Sequence, residues 1–80
     1  MKLPRNISAT ELISSLQKFG YAITRQKGSH IRVTTSFNGQ HHITIPNHDP
    51  IKIGTLSSIL NEVAFHIKLS KEDVINKLFG

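Results

Sequence analysis

Apolar residues recur at helical spacing in the first quarter of the chain. One face of a helix would carry Leu12, Ile13, Leu16 and Phe19. Ser8 and Glu11 have the spacing of a capping box, in which each side chain binds the other residue's backbone amide. Gly20 suits the left-handed position that follows many helices. The pattern therefore predicts a helix over residues 9–19.

Three short runs of strand-forming residues come next, and turn-forming residues separate them. The runs cover residues 21–25, 30–35 and 41–45. Residues 26–29 form the first turn, and the second turn contains Asn38 and Gly39, which tolerate the positive φ angles of tight hairpins. Pro46 ends the third run because proline cannot donate to a strand ladder. The short connections predict an antiparallel meander with the second strand in the middle.

Two further helices are predicted in the second half of the chain. After a polar loop over residues 47–53, Gly54 and Thr55 open a helix. Its apolar stripe consists of Leu56, Ile59, Leu60 and Val63. A short third helix has a capped start and a hydrophobic staple between Leu69 and Val74. It continues through Ile75 and Leu78.

These elements predict a two-layer α+β fold. Amphipathic helices need a sheet face on which to bury their apolar stripes, so the helices cover one face of a three-stranded antiparallel sheet and leave the other face in water. The sequence contains no internal repeat, linker or low-complexity segment. Residues 1–80 are therefore predicted to form one domain.

Strand alternation predicts which side chains occupy the open face. Ile31 and Val33 face the helices, and the same argument applies to Ile43 and Ile45. The open face then carries His30, Arg32 and Thr34 from the second strand and His42 and Thr44 from the third. His41 falls at the rim of the helix side. A polar solvent-facing sheet surface without any function is the plain alternative.

Charge and composition narrow the class of partner. The net charge is +5 and the pI is near 10. This favours a polyanionic partner, with nucleic acid ahead of an acidic protein and an anionic membrane; a basic protein with no polyanion is the alternative. The absence of cysteine excludes disulfides, thiolate metal sites and a cysteine nucleophile. No apolar run reaches the ~20 residues of a membrane span, and no signal peptide is visible, so a cytoplasmic location is expected.

Candidate chemistry is concentrated at the first hairpin. The segment Lys27-Gly28-Ser29-His30-Ile31-Arg32 holds two cations, a turn and a titratable ring within six residues. Backbone amides near Gly28 and Ser29 could form a concavity that accepts an anion. Because basic hairpin turns are common, phosphate contact and a plain solvated turn are both open on this pattern alone. Arg25 is a weaker candidate because its face depends on the strand register.

The five histidines do not indicate a metal site. His41 and His42 are neighbours on one strand and point to opposite faces, and no metal-binding histidine spacing occurs on a helix. We therefore expect no metal and no cofactor. His48 is interpreted as a hydrogen-bonding residue that shapes its loop, and His66 as a surface or packing residue.

Four segments together resemble the HicA family of toxins from bacterial and archaeal toxin–antitoxin pairs. They are Phe19-Gly20-Tyr21, Arg25-Gln26-Lys27-Gly28-Ser29-His30, Ile43-Thr44-Ile45-Pro46-Asn47-His48 and Gly54-Thr55-Leu56-Ser57-Ser58-Ile59-Leu60. Each segment alone is weak, but the combination at this spacing is specific. The chain departs from the family after the second helix. Many members have a short Ala-Gly-Ile/Leu-Ser ending there, whereas residues 64–70 are longer and lack that glycine.

The resemblance implies a fold like that of double-stranded-RNA-binding domains, ribosome-independent cleavage of mRNA and inhibition by a HicB-like antitoxin. It places the essential histidine at His30. RNA supplies its own nucleophile, the ribose 2′-OH, and a histidine can move the required proton at neutral pH. Lys27, Arg32 and, more weakly, Arg25 are then the expected phosphate contacts. Gly28 and Ser29 are the expected backbone donors.

Two other classes of function remain open at this level. The same fold could be a non-catalytic RNA-binding domain, or a protein-interaction domain whose basic face docks an acidic partner. His42 could act as a second proton carrier if the register brings it close to His30. No membrane contact is expected, and no DNA contact is expected from the protein alone.

Overall fold

The computed structural model describes residues 3–80 and has the predicted α+β architecture. The elements in chain order are α1 (Ala9–Leu16), β1 (Ala22–Lys27), β2 (His30–Thr35), β3 (His41–Pro46), α2 (Ile53–Ile67) and α3 (Lys71–Phe79). The three strands form one antiparallel sheet in the order β1-β2-β3. No helix in the described part of the chain is long and apolar enough to cross a membrane.

The first helix begins and ends largely as its sequence predicts. Ser8 Oγ accepts the Glu11 amide at 3.1 Å, and Glu11 Oε1 accepts the Ser8 amide at 3.0 Å. The bonds to the Ser8 backbone and side chain lower the pKa of Glu11. The last predicted turn is a 3₁₀ turn, Gln17–Phe19, rather than α-helix. Gly20 follows with φ +82°, and a Cβ there would lie 2.8 Å from Thr35 Oγ1, so both backbone angle and space require glycine.

The first strand begins and ends later in the chain than predicted: it covers Ala22–Lys27 instead of residues 21–25. Residues 26 and 27 belong to β1 instead of the turn, and Tyr21 lies just before the strand with its side chain buried. The reason is that Gly28 and Ser29 alone connect β1 to β2. Gly28 has φ +59°, which suits the first central position of a two-residue hairpin turn.

The helices cover one face of the sheet, as predicted. Its apolar side chains Ile31, Val33, Ile43 and Ile45 are all buried. β1 differs, because each of its six residues is exposed and Ile23 retains 53 % of its accessible surface. β1 is therefore an edge strand whose side chains the helices leave exposed.

The C-terminal half follows the predicted pattern with small shifts in its boundaries. α2 begins at Ile53, and the N-cap residue Lys52 makes no side-chain hydrogen bond to the helix. α3 is capped by Ser70, whose Oγ accepts the Asp73 amide at 3.0 Å. Leu69 is partly buried against the core and Val74 is fully buried. Both positions agree with the predicted staple.

A histidine pair anchors the β2–β3 turn to α2. The rings of His41 and His66 stack with centroids 4.5 Å apart. His66 Nε2 lies 2.8 Å from the Phe37 carbonyl oxygen and 2.9 Å from that of Gly39. His66 is therefore a packing residue, one of the two roles expected for it. In the loop after β3 the His48 peptide makes the bonds, donating to the Pro46 carbonyl and accepting from the amide of Ala9.

Candidate active site on the open face of the sheet

His30 begins β2 on the open face, as alternation predicts. Its side chain is exposed to solvent. Its partner across the β1–β2 ladder is Lys27. Lys27 was expected in the turn but is the last residue of β1, and side chains of such opposed residues lie on the same face about 5 Å apart at Cβ. The ammonium group of Lys27 and the ring of His30 therefore project from neighbouring positions.

A β-bulge at Thr24 turns Arg25 to the same face. Ile23 pairs with the buried Val33 and so belongs to the helix side, and strict alternation would place Arg25 there as well. The register shifts between Ile23 and Arg25, which leaves Thr24 as the extra residue and sets Arg25 opposite Arg32. A bulge changes the face on which all later side chains of the strand project. It therefore places Arg25 on the open face.

Arg32 lies at the centre of this surface. It is half-buried, and its Nε atom is buried without an acceptor among residues 3–80. Thr44 of β3 is its partner on the other side. Five residues line an open depression of about 210 Å³: Arg25, Lys27, His30, Arg32 and Thr44. The structure thus brings four of the six candidate residues into one shallow site.

The remaining two candidates, Gly28 and Ser29, form the turn at the end of the site. A Cβ added to Gly28 would meet no atom within 4 Å, so its φ angle rather than crowding explains the glycine. The Ser29 carbonyl accepts the Asn47 amide at 2.7 Å, which ties the turn to the chain after β3. The turn is open to solvent on its outer side and held in place on its inner side.

The charges of the site are unbalanced within the sheet. The chain has five acidic residues, and none of them lies in a strand. Arg25 and Arg32 are directly opposite each other, an arrangement of like charges that destabilises a sheet. A bound anion would relieve this repulsion. The geometry therefore suits a phosphate beside a proton-exchanging imidazole.

His42 occupies the open face, but it is distant from His30. It pairs with Thr34, which is four residues from His30 along β2. At about 3.3 Å per residue the two histidines are separated by roughly 13 Å. This distance excludes a direct second role for His42 at the bond that His30 contacts.

Sequence reasoning missed a chain of hydrogen bonds around His42. Thr34 Oγ1 lies 2.7 Å from His42 Nδ1 and 2.7 Å from Thr24 Oγ1. The only signal in the sequence was the outward position of Thr34 and His42, because the pairing of β1 with β2 decides which residue of β1 lies beside Thr34. His41 points to the other side, where its Nδ1 lies 2.7 Å from the Tyr21 hydroxyl oxygen. Burial, together with the neighbouring imidazole of His66, lowers the pKa of His41.

The described residues contain no group of three or more His, Cys, Asp or Glu side chains that could hold a metal ion. The groups that the site itself presents are an imidazole, three cationic side chains and the backbone amides of the turn. Such groups can transfer a proton and stabilise negative charge on a bound anion.

Comparison with known proteins identifies a family for most of the chain. The family described as "HicA toxin of bacterial toxin-antitoxin" matches residues 9–64. The match begins at the first residue of α1 and ends near the end of α2, so it contains the complete sheet and the whole candidate site. No curated protein and no solved structure matches the chain significantly.

Proposed function

The chain belongs to the HicA family of toxins of bacterial toxin–antitoxin systems, and on that premise we propose that it is a metal-independent endoribonuclease that cleaves mRNA. Family membership makes the protein a toxin and implies a cognate antitoxin as its partner. The proposal concerns the finer points: the reaction, the substrate and the residues. An mRNA substrate would place its action in the cytoplasm.

One observation carries the proposal. An exposed imidazole, His30, lies on the same face as three cationic side chains and next to an open depression large enough for a phosphate group. The cations Arg25, Lys27 and Arg32 would contact the phosphate oxygens. Because the depression is shallow, an extended single strand can enter it without a deep cavity.

The proposed reaction uses the nucleophile that RNA itself contains. The 2′-oxygen attacks the adjacent phosphorus, the P–O2′ bond forms and the P–O5′ bond breaks. The 2′-OH loses a proton and the leaving 5′-oxygen gains one, which yields a 2′,3′-cyclic phosphate and a 5′-OH. His30 transfers one of these protons and water exchanges the other. The cations and the Gly28 and Ser29 amides stabilise the extra charge on the phosphorus oxygens.

The test compares three proteins on one RNA sequence in the presence of a chelator. The parent should cut single-stranded RNA and should leave the same sequence uncut when every 2′-OH is replaced by 2′-O-methyl. His30→Ala should retain its circular dichroism spectrum and lose cleavage by roughly 10²- to 10⁴-fold, the usual contribution of a positioned proton carrier. His48→Ala is the matched control, because His48 is also exposed but lies in the loop after β3.

Each alternative has its own outcome in this experiment. Cleavage by His30→Ala at the parent rate would contradict the catalytic assignment. RNA binding without cleavage by the parent would identify a non-catalytic RNA-binding domain. Absence of RNA affinity at low salt would favour a protein-interaction domain.

We also propose that the HicB-like antitoxin covers the His30 face. The face is basic and exposed, so an acidic partner surface would both bind it and exclude RNA. Modification of histidines with diethyl pyrocarbonate, read by mass spectrometry, should then label His30 in the free toxin and spare it in the complex. Equal labelling in the two states would show that inhibition acts elsewhere.

A further inference from the structure

Three polar side chains on the open face form a continuous hydrogen-bonded series that the proposed reaction does not use. Thr24 Oγ1 donates to the Arg32 carbonyl at 3.4 Å. Thr24 and Thr34 hydroxyls lie 2.7 Å apart, and Thr34 Oγ1 lies 2.7 Å from His42 Nδ1. All three residues are outside the depression at His30. They form a second polar cluster, which we call the His42 cluster: Thr24, Thr34 and His42.

The Thr34 hydroxyl lies between the other two groups and bonds both of them. Its Oγ1 is 2.7 Å from Thr24 Oγ1 and 2.7 Å from His42 Nδ1, and either partner of each pair can be the donor. The ring is thus held through Nδ1, while Nε2 has no partner among the described residues. An exposed side chain held in one orientation has already lost the rotamer freedom that ligand binding would otherwise cost.

The His42 cluster lies far enough from His30 to contact a different nucleotide of the same strand. The separation of roughly 13 Å along the strands follows from four residue steps of β2. This is longer than one phosphodiester step, so a nucleotide at His42 is a different one from the nucleotide at His30. Both sites are on the same exposed face, and no acidic residue lies in the strands between them.

We propose that His42, positioned by Thr34 and Thr24, is a second nucleotide subsite that binds a base of the same RNA strand away from the cleaved bond. This inference rests on the proposed function. Histidine rings stack on unpaired bases, and a free Nε2 can hydrogen-bond a base edge. Thr24 belongs to both sites, because the bulge at this residue sets Arg25 opposite Arg32 and its hydroxyl contacts Thr34.

The test measures how RNA affinity grows with strand length. All proteins carry His30→Ala, so that RNA stays intact, and binding is followed by the fluorescence anisotropy of a labelled dinucleotide and a longer single strand. His42→Ala should weaken binding of the longer RNA by about tenfold, the usual size of one base–aromatic contact. It should leave binding of the dinucleotide unchanged. His48→Ala, an exposed histidine off the sheet, should change neither affinity.

Thr34→Val tests whether the orientation of the His42 ring contributes to binding in addition to the ring itself. This variant keeps His42 but removes the hydroxyl that orients it, so it should lose part of the length-dependent affinity while the dinucleotide binds as before. Equal affinities of the His42→Ala variant and its parent for the long RNA would overturn the subsite. Equal loss for both lengths would show a general electrostatic effect and would overturn it as well. These binding measurements involve no cleavage. The proposed cleavage is tested separately, by comparing the parent with His30→Ala.

Discussion

Arg25 lies directly opposite Arg32 on the open face of the sheet, although strict alternation from Ile23 would turn it toward the helices. The single extra residue Thr24 is the cause. Because β1 buries none of its side chains, no hydrophobic contact opposes this change of face. The position of the third cation of the site therefore depends on the bulge and not on the core.

Deleting Gln26 should remove Arg25 from the site, whereas deleting Thr24 should leave it there. Without Thr24, the ladder becomes regular and Arg25 still faces Arg32. Without Gln26, and with the Gly28-Ser29 turn unchanged, Arg25 would pair with Ile31 and face the helix side. The slope of log K for RNA binding against log salt concentration should then become shallower by roughly 0.7, the value of one phosphate contact. This change is expected in the Gln26 deletion and not in the Thr24 deletion. Equal salt slopes in the two deletions would contradict the role of the bulge.

Removing the like-charge pair should stabilise the free protein and weaken its RNA binding. Arg25→Thr removes one of the two opposed guanidinium groups and introduces a residue that favours strands. We expect the free energy of unfolding to rise by roughly 0.2–1 kcal/mol, the usual range for cross-strand pairs. Affinity for single-stranded RNA should fall, most clearly at low salt. Urea titration and anisotropy measure the two quantities, and a loss of both stability and affinity would contradict repulsion between the arginines.

The single tyrosine provides a direct test of the burial of its own hydroxyl group. Burial, with a smaller effect of Glu62, raises the pKa of Tyr21 to about 12. Because the folded pKa lies above the unfolded value of about 10, the stabilisation is fully present below pH ~10 and is lost as pH rises through about 12. The chain has one Tyr and no Trp, so the tyrosinate absorbance reports this group alone. The folded protein should titrate well above the protein in guanidinium chloride, and identical midpoints would contradict the buried hydroxyl.

Lys68 ends α2 in a conformation that glycine adopts more easily. Its φ is +65°, and its amide donates to the Ala64 carbonyl at 2.9 Å. Lys68→Gly should raise the free energy of unfolding by about 1 kcal/mol, because left-handed backbone costs a residue with a Cβ about 1–2 kcal/mol and glycine loses some of this gain as chain entropy. Asn61→Gly, at an exposed position inside the same helix, is the control and should destabilise, because its backbone is helical. An unchanged denaturation midpoint for Lys68→Gly would show that the left-handed position stores no strain.

The segment after the second helix, where the sequence departs from the family, ends α2 without a glycine. Lys68 adopts the left-handed conformation at the end of the helix. The chain then enters α3, whose Val74, Ile75 and Leu78 are buried. None of these residues lines the candidate site.

Alternation alone determined much of this protein. Ile31 and Val33 had to be buried, so the outward positions of His30 and Arg32 followed from the period of two in β2. The capping residues and apolar stripes likewise determined the helices, because local hydrogen bonds and burial act within a few residues. Tertiary structure alone decided the faces of Arg25 and Lys27 and the distance of His42 from His30. β1 has no buried side chain to fix its register, so pairing with β2 and the bulge at Thr24 set it instead.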